Sequence, residues 1–438
     1  MKTQNLQYII LLFLVHIIFI TNAQTFDFGV NLAGAEFDEE NMPGVFGQNY
    51  VYPNALELDY YNAKGLKLIR LPFRWERIQQ TLNGNLDVDE LNRLKQFVQQ
   101  ATNRNMFVLL DLHNSARYRL NNTDVLIGTG SVTTAHVKDL WIKLADEFKN
   151  ETNIWGYGIM NEPYNMLNNT QWFNIAQEII NGIRTVDLQT PIIVGGDSYS
   201  SAERWLEFSD NLRGLIDISN KIIFEAHVYF DDDASGQYLG TYDEELATPN
   251  IGIDRVQPFI DWLQSNNFRG YIGEYGIPDN DTRWLTTLNN FLTHLNNNCI
   301  NGTYWAGGPR WGPNFMAIDP IDNTGESDPL NGTERPQMAI VQNFTLANSN
   351  CTYLSIQEFS NSENVIIYPN PTINIVIITS ENIALSNIKI YSLIGQDLTN
   401  TIKKQLVNNT TVSLNLSRLQ KGLYLIKNKS TITKILKK

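Results

Sequence analysis

Eight short apolar, β-like runs recur between Phe28 and Tyr304 with helix-like stretches between them, and this alternation limits the fold more than any other property of the chain. The runs are Phe28 to Leu32, Lys67 to Leu71, Met106 to Leu112, Ile154 to Met160, Pro191 to Gly195, Lys221 to Ala226, Gly270 to Gly273 and Gly302 to Tyr304. Between them, Val88 to Asn103, Thr134 to Lys149, Gln171 to Arg184, Asp254 to Asn266 and Thr282 to Asn297 carry apolar residues at the spacing of an amphipathic helix. Strands alternating with helices predict an α/β fold with a parallel sheet. Eight units predict a closed (β/α)8 barrel, the TIM barrel, rather than an open doubly wound sheet. No Gly-x-Gly-x-x-Gly fingerprint follows the first run, and polar or aromatic residues stand at the ends of several runs, where barrels assemble their chemistry.

With 438 residues, the chain has room for a barrel of about 250 to 350 residues and something more. Residues 1–23 hold Lys2, an apolar run from Tyr8 to Ile20 and a small residue, Ala23, which together read as a secretory signal peptide. That run is too short for a comfortable span, and no other stretch approaches the roughly 20 apolar residues a membrane helix requires. A secreted, extracellular or cell-surface protein without a stable membrane span is expected. The only cysteines are Cys299 and Cys351, and no Cys/His cluster has metal-ligand spacing, so no metal is expected. In an oxidising exterior the two cysteines could pair or remain separate buried thiols; sequence leaves both open.

The net charge of −13 is unevenly spread. From Val365 onward ten Lys/Arg face Glu381 and Asp397, a balance of +8, which leaves −21 for residues 1–364. The acidic part argues against nucleic acid or an anionic membrane as a partner and is compatible with a neutral polysaccharide.

Two carboxylates follow apolar runs directly: Glu162 in Ile-Trp-Gly-Tyr-Gly-Ile-Met-Asn-Glu-Pro and Glu274 in Gly-Tyr-Ile-Gly-Glu-Tyr-Gly. A charged residue at the end of a buried strand is poorly placed for a core and well placed for a barrel's active end. Retaining cleavage of a sugar acetal needs one carboxylic acid near the leaving oxygen and one ionised carboxylate under the anomeric carbon, about 5 to 5.5 Å apart. Arg70 and Tyr229, at the ends of the second and sixth runs, are candidate donors that would keep such a nucleophile ionised.

The motifs around these positions resemble glycoside hydrolase family five, the large cellulase family of the retaining barrel clan. They are Gly-Val-Asn-Leu-Ala-Gly (29–34), Ile-Arg-Leu-Pro-Phe-Arg-Trp (69–75), Leu-Asp-Leu-His-Asn-Ser-Ala-Arg-Tyr (110–118), Gly-Ile-Met-Asn-Glu-Pro (158–163), Phe-Glu-Ala-His-Val-Tyr-Phe-Asp (224–231), Gly-Glu-Tyr-Gly (273–276) and Thr-Tyr-Trp-Ala-Gly-Gly (303–308), in the family's order. The resemblance covers about residues 26–346 and looks closest to the family's fungal-type endoglucanases. It implies Glu162 as acid/base and Glu274 as nucleophile, with Arg70 and Tyr229 hydrogen-bonded to Glu274. It further implies Asn161 on the sugar 2-hydroxyl, His113 and His227 lining the same subsite, and Trp305 as the platform beneath that sugar. Tyr118, Tyr199, Trp205 and Trp311 are candidates for further platforms, while Trp141, Trp155, Trp172 and Trp262 lie in patterns that read as packing. Asp111 and Asp231 adjoin the motifs and are expected to orient neighbours. Tyr118 and Tyr199 stand where related endoglucanases often have Trp.

Past Cys351 the pattern changes to a β-rich tail, with strand-like segments at Ile373 to Thr379, Asn387 to Leu393, Thr411 to Leu416 and Gly422 to Lys427. Tyr-Pro-Asn-Pro (368–371), Ile-Tyr-Ser-Leu-Ile-Gly-Gln (390–396), Leu-Gln-Lys-Gly-Leu-Tyr-Leu-Ile (419–426) and the Lys-rich end are similar to the type A sorting domain of the bacterial type IX secretion system. The expected organisation is a signal peptide at 1–23, a catalytic barrel at 24–352, a short linker at 353–364 and a small all-β sorting domain at 365–438. The resemblances imply a secreted retaining endo-β-1,4-glucanase that acts on β-glucan as a monomer without a cofactor and engages the type IX machinery through its tail. Another retaining β-glycanase, a mannanase, xyloglucanase or mixed-linkage glucanase, shares the same catalytic set, and a non-hydrolytic glycan-binding barrel would not need both glutamates.

Overall fold

The computed structural model describes residues 28–168, 170–345, 366–380, 385–392, 397–428 and 431–438. Residues 1–23, the 353–364 junction, Cys351 and residues 393–396 of the second tail motif lie outside the described residues. Cys299, which lies within them, is disulfide-bonded. The chain divides between residues 353 and 354 into two compact units.

In the first unit, strands β1 (Gly29–Leu32), β2 (Leu68–Phe73) and β3 (Phe107–Leu112) precede a small antiparallel hairpin, β4 (Arg117–Leu120) and β5 (Thr123–Leu126). Strands β6 (Ile154–Gly158), β7 (Ile192–Gly195), β8 (Ile222–His227), β9 (Gly270–Tyr275) and β10 (Asn301–Gly307) follow. Eight of them close a parallel barrel in the order β1-β10-β9-β8-β7-β6-β3-β2. Each expected strand lies within two or three residues of an observed one. Strands covered on both faces need continuous apolar runs, which is why these segments were legible.

Helix α1 (Ala55–Ala63) joins β1 to β2, and α2 (Trp75–Ile78) and α3 (Val88–Thr102) join β2 to β3. Helices α4 (Thr134–Phe148), α5 (Gln171–Ile183), α6 (Trp205–Phe208), α7 (Ile251–Asn266) and α8 (Arg283–Asn297) occupy the later connections in turn, and α9 (Pro336–Val341) follows β10. Local chemistry starts two of them. Asn54 Oδ1 accepts from Leu56 N at 2.8 Å while Glu57 returns to Asn54 N, a capping box, and Asp87 accepts from Glu90 N at 2.9 Å. Indoles pin other helices to strand ends: Trp141 on α4 donates to Ile159 O at 3.0 Å and Trp172 on α5 to Gly195 O at 2.7 Å.

The second unit is all β. Strands β11 (Ile366–Tyr368), β12 (Ile375–Thr379), β14 (Lys403–Asn408) and β15 (Thr411–Asn415) form an antiparallel sheet ordered β11-β12-β15-β14. Strands β13 (Ile388–Ser392), β16 (Gly422–Asn428) and β17 (Thr431–Lys437) form the other. Alternate residues of both sheets, Val376, Ile378, Ile388, Ile390, Val412, Leu414, Ile426 and Ile435, bury one shared apolar core.

Two of the candidate platforms belong to the packing of the first unit. Trp205 is fully buried, its ring 4.5 Å from Phe259 and 5.3 Å from Trp262. Tyr118 is 3% exposed, its hydroxyl tied to the carbonyls of Gln79 and Gln80 and its ring edge-on to Trp75. Neither can stack on a sugar. Trp205→Ala should therefore cost about 3–5 kcal/mol of stability, lowering the urea midpoint, while the folded fraction keeps its substrate ranking. An unchanged midpoint with an altered ranking would place Trp205 in the substrate path instead.

Candidate active site

Alternate residues of the barrel strands stack a polar layer on an apolar one. Leu68, Leu109, Trp155, Ile193, Ile223 and Tyr271 form a buried cluster of their own. Two residues further along the same strands, toward their carboxyl ends, come Arg70, Asp111, Glu225 and Gly273. Gly273 makes room for this layer: a Cβ there would lie 1.8 Å from Glu225 Oε1 and 2.8 Å from His227 Nε2.

Arg70 has no exposed surface. Its Nη1 donates to Glu274 Oε1 at 3.0 Å and to Asn31 Oδ1 at 2.9 Å, and its Nη2 donates to Asn161 Oδ1 at 2.6 Å. The guanidinium is also ion-paired with Asp111 at 3.1 Å and with Glu225 at 3.0 Å. Tyr229, just past β8, donates its hydroxyl to Glu274 Oε2 at 2.8 Å. Both Glu274 oxygens thus accept hydrogen bonds, as an ionised carboxylate does.

Glu162 follows β6 with a left-handed backbone, φ 41°, an uncommon conformation for a residue with a side chain and one held here by the surrounding fold. Its Oε1 lies 2.8 Å from His227 Nδ1, which is 3.6 Å from Glu274 Oε2. One oxygen of each glutamate and the His227 nitrogen all lie within 4.8 Å of one another. Two carboxylates and an imidazole at this spacing could in principle cradle a cation. Arg70 already brings positive charge to Glu274, however, and His227 is itself protonated. Burial works against its imidazolium, but Glu274 and the contacts to Glu162 and Glu225 outweigh burial and raise it to about 10.

His113, just past β3, is in the opposite state. Burial, with Arg70 adding to it and Glu274 opposing it, pushes the ring down to about 4. A neutral ring fits its contacts: Nδ1–H points to Asp111 Oδ2 at 2.8 Å, leaving Nε2 to accept from Asn161 Nδ2 at 3.3 Å. Since the Asn161 Oδ1 is held by Arg70, one Nδ2–H remains directed away from this network. The fixed carboxamide and the imidazole share the site with Trp305, whose partly buried ring stacks on His113 at 5.5 Å and 10°. All eight residues picked out in the sequence are therefore brought to one end of the barrel.

Other residues carry this site that sequence reasoning left without a role. Asn31 and Glu225 sit inside the quoted motifs, yet only the fold shows them holding Arg70. Asp111 does orient neighbours, whereas Asp231 anchors the loop after β8 by accepting from the backbone of Gly236, Gln237 and Tyr238. Trp311 stands edge-on to Trp305 at 5.8 Å and stacks on Phe37 at 5.7 Å. Tyr199 is 47% exposed and stacks at 4.5 Å on Tyr164, which Arg117 covers at 3.8 Å from the other side. Tyr164 is two residues past Glu162, so this stack flanks the acid/base candidate.

A model of the cellulase family, glycosyl hydrolase family 5, matches residues 30–310, and one of the secretion system C-terminal sorting domain matches residues 366–438. Endo-beta-1,4-glucanase B of Aspergillus niger is 32% identical over 301 residues, covering 68% of this chain and 86% of that protein. Its counterpart in Emericella nidulans is 30% identical over 311 residues, covering 70% and 90%. The crystal structure of Pseudomonas stutzeri endoglucanase Cel5A with cellobiose superposes with a TM-score of 0.68 at 38% identity, covering 74% of this chain and 93% of that one.

The two imidazoles give a pH test with a definite sign. A histidine raised from 6.5 to about 10 contributes stability that is fully present below pH 6.5 and is lost as pH rises through about 10. The difference in unfolding free energy between the wild type and His227→Gln should be flat below about pH 6.5 and shrink steadily above it. Imidazole nitrogen NMR should show His227 doubly protonated and His113 neutral at pH 7. A neutral His227 at that pH would contradict the raised imidazole.

Proposed function

The chain belongs to the cellulase family, glycosyl hydrolase family 5, and from that premise we propose that this glycoside hydrolase is a secreted retaining endo-β-1,4-glucanase. The observation that carries the reading is the Glu162/Glu274 pair, one oxygen of each lying within 4.8 Å of the other. Inverting enzymes separate their carboxyls by about 6.5 to 9.5 Å to admit a water between them, whereas retaining ones hold them at about 5 to 5.5 Å.

In the first step the Glu274 carboxylate attacks the anomeric carbon as the glycosidic C–O bond breaks and the leaving oxygen takes the proton of Glu162. His227, 2.8 Å from Glu162, holds that carboxyl in place as it gives up the proton and stands ready to take one back. In the second step water attacks the same carbon, Glu162 accepts the water's proton, and the bond to Glu274 breaks. Two inversions return the β-configuration. Arg70 and Tyr229 hold the nucleophile in one orientation. The remaining Asn161 N–H meets the sugar 2-hydroxyl, a contact that strengthens as the ring approaches an oxocarbenium ion. Trp305 supports the apolar face of the same sugar. The carboxylates supply acid, base and nucleophile themselves, so the mechanism calls for no cofactor.

The substrate assignment, β-1,4-glucan cleaved internally, is supported by the endoglucanase relatives. A reducing-sugar assay on a polysaccharide panel tests it. Amorphous or soluble β-1,4-glucan should be cleaved fastest, crystalline cellulose more slowly and pure β-1,3-glucan barely, whereas a faster rate on β-mannan would make the enzyme a mannanase. The sorting domain directs the protein to the exterior or the cell surface. We assign its recognition to the type IX machinery and the enzyme's working state to a monomer.

Proton NMR of the first product should show the β-anomer, and initial release of the α-anomer would refute retention. Glu162→Ala should lower kcat on glucan by about 10²–10⁴-fold while sparing the first step for aryl glycosides with good leaving groups. Glu274→Ala should abolish turnover on every substrate. Azide should rescue Glu162→Ala to a β-product and Glu274→Ala to an α-product; the reverse pattern would exchange the two roles. Deleting residues 365–438 should leave the purified barrel active but retained inside its native host, and normal extracellular activity from the truncated chain would contradict the sorting role.

A further inference from the structure

The structure also points beyond the cleft to a buried carboxylate that shapes it. We infer that Asp319 is a positioning residue that fixes the turn after β10 and, through it, the plane of the Trp305 indole; the inference rests on the platform role proposed for Trp305. Past Gly307 the chain leaves the barrel and returns alongside the end of β10. There Ile318 N donates to Ala306 O at 3.0 Å, and Asp319, 1% exposed, reaches the turn with both oxygens. Oδ2 accepts from Gly308 N at 2.8 Å, and Oδ1 accepts from the Tyr61 hydroxyl at 2.6 Å.

Tyr61 lies on α1 and is fully buried. Its hydroxyl sits so close to Gly307 that a Cβ there would be 1.9 Å from the oxygen. Ala33 N closes the remaining side by donating to Gly307 O at 2.8 Å. Three consecutive residues after Trp305 are thus held at one polar atom each: Ala306 at its carbonyl, Gly307 at its carbonyl and Gly308 at its amide. Asp319 organises two of the surrounding groups at once, the amide and the tyrosine wedge. Among the described residues the indole makes two aromatic ring contacts, the His113 stack and the Trp311 edge. The direction in which β10 delivers its Cβ therefore decides whether the ring lies flat under a sugar.

The charged neighbours of Asp319 are Glu57 on α1 and Arg335 just before α9. A carboxylate accepts from both donors; an asparagine keeps one acceptor oxygen, and an alanine none. The effect on the platform should follow that order.

The experiment compares full-length wild type with Asp319→Asn, Asp319→Ala and Tyr61→Phe, using Trp305→Phe as the reference for a lost platform. Asp319→Ala should raise KM for cellotetraose about tenfold with kcat within about twofold, the signature of lost binding common to ground and transition states. Asp319→Asn and Tyr61→Phe should show smaller shifts in the same direction. Circular dichroism should report the geometry directly, because the perpendicular Trp305 and Trp311 indoles couple: the exciton signal should weaken in Asp319→Ala and vanish in Trp305→Phe. If Asp319→Ala does not fold, the other two variants decide. A lowered unfolding midpoint with unchanged KM and an unchanged exciton signal in folded Asp319→Asn and Tyr61→Phe would overturn the inference and leave Asp319 as a purely structural cap. Should wild type fail to cleave cellotetraose, the substrate reading falls separately, and the exciton signal alone decides the role of Asp319.

Discussion

Arg70 presents no surface to solvent, and its guanidinium lies within 3.1 Å of the carboxylates of Asp111, Glu225 and Glu274. Taking a cation out of water inside a barrel costs several kcal/mol, and only close carboxylates and amide oxygens offset it. Those groups are in turn the ones that build the site. Asp111 holds His113 at 2.8 Å, Glu225 lies 3.4 Å from His227, and Asn161 and Glu274 take hydrogen bonds from the guanidinium itself. Removing Arg70 would leave three buried carboxylates facing one another. Burial already raises Asp111 to about 7 even with Arg70 beside it, whereas Arg70 and His227 outweigh burial at Glu225 and hold that carboxyl below its usual range. The barrel's active end is thus one electrostatic unit rather than a collection of independent side chains.

Strand order sets the two glutamates proposed as acid/base and nucleophile on either side of one imidazole. Glu274 ends β9 and Glu162 follows β6, with β8 and β7 lying between them in the barrel. His227 ends β8, so it stands between the two carboxylates and contacts both. His113 approaches from β3, beside Arg70 and against one carboxylate, and stays neutral. Two imidazoles of identical chemistry thereby take opposite protonation states because the topology gives them different neighbours.

Much of this was legible in the chain because a parallel barrel writes its strands as apolar runs and its chemistry at their ends. The eight strands and five of the larger helices were recognisable for that reason. What escaped is informative. Helix α1 has Leu56 exposed while Leu58, Tyr60 and Tyr61 are buried, so its apolar residues trace no clean stripe, and its start depends on the Asn54/Glu57 cap. The β4–β5 hairpin reads Arg-Tyr-Arg-Leu-Asn-Asn-Thr-Asp-Val-Leu, polar enough to pass for a loop. In the second unit β14 is Lys-rich and almost wholly exposed at the edge of its sheet, so no alternation announces it. Asn31 and Glu225 were visible as residues but not as partners, since their roles exist only across strands far apart in sequence. Tyr118 and Tyr199 are alike in type, yet one is buried with its hydroxyl bonded to backbone and the other is open to solvent. Sequence position alone could not separate them.

A neutral polysaccharide gives the acidic barrel no charge to attract, so recognition has to come from ring faces and hydrogen bonds. The two candidate faces, Trp305 and Tyr199, are each backed by another planar group. Trp305 leans on His113, and Tyr199 leans on Tyr164, itself covered by the Arg117 guanidinium. An unsupported aromatic side chain on the rim would lose rotamer freedom when a sugar docks, and that loss would reduce the gain from stacking. A ring already held in place loses little. Backing by Tyr164 and Arg117 fixes the Tyr199 face, and Tyr199 N donates to Pro163 O at 3.0 Å, next to Glu162 in the chain.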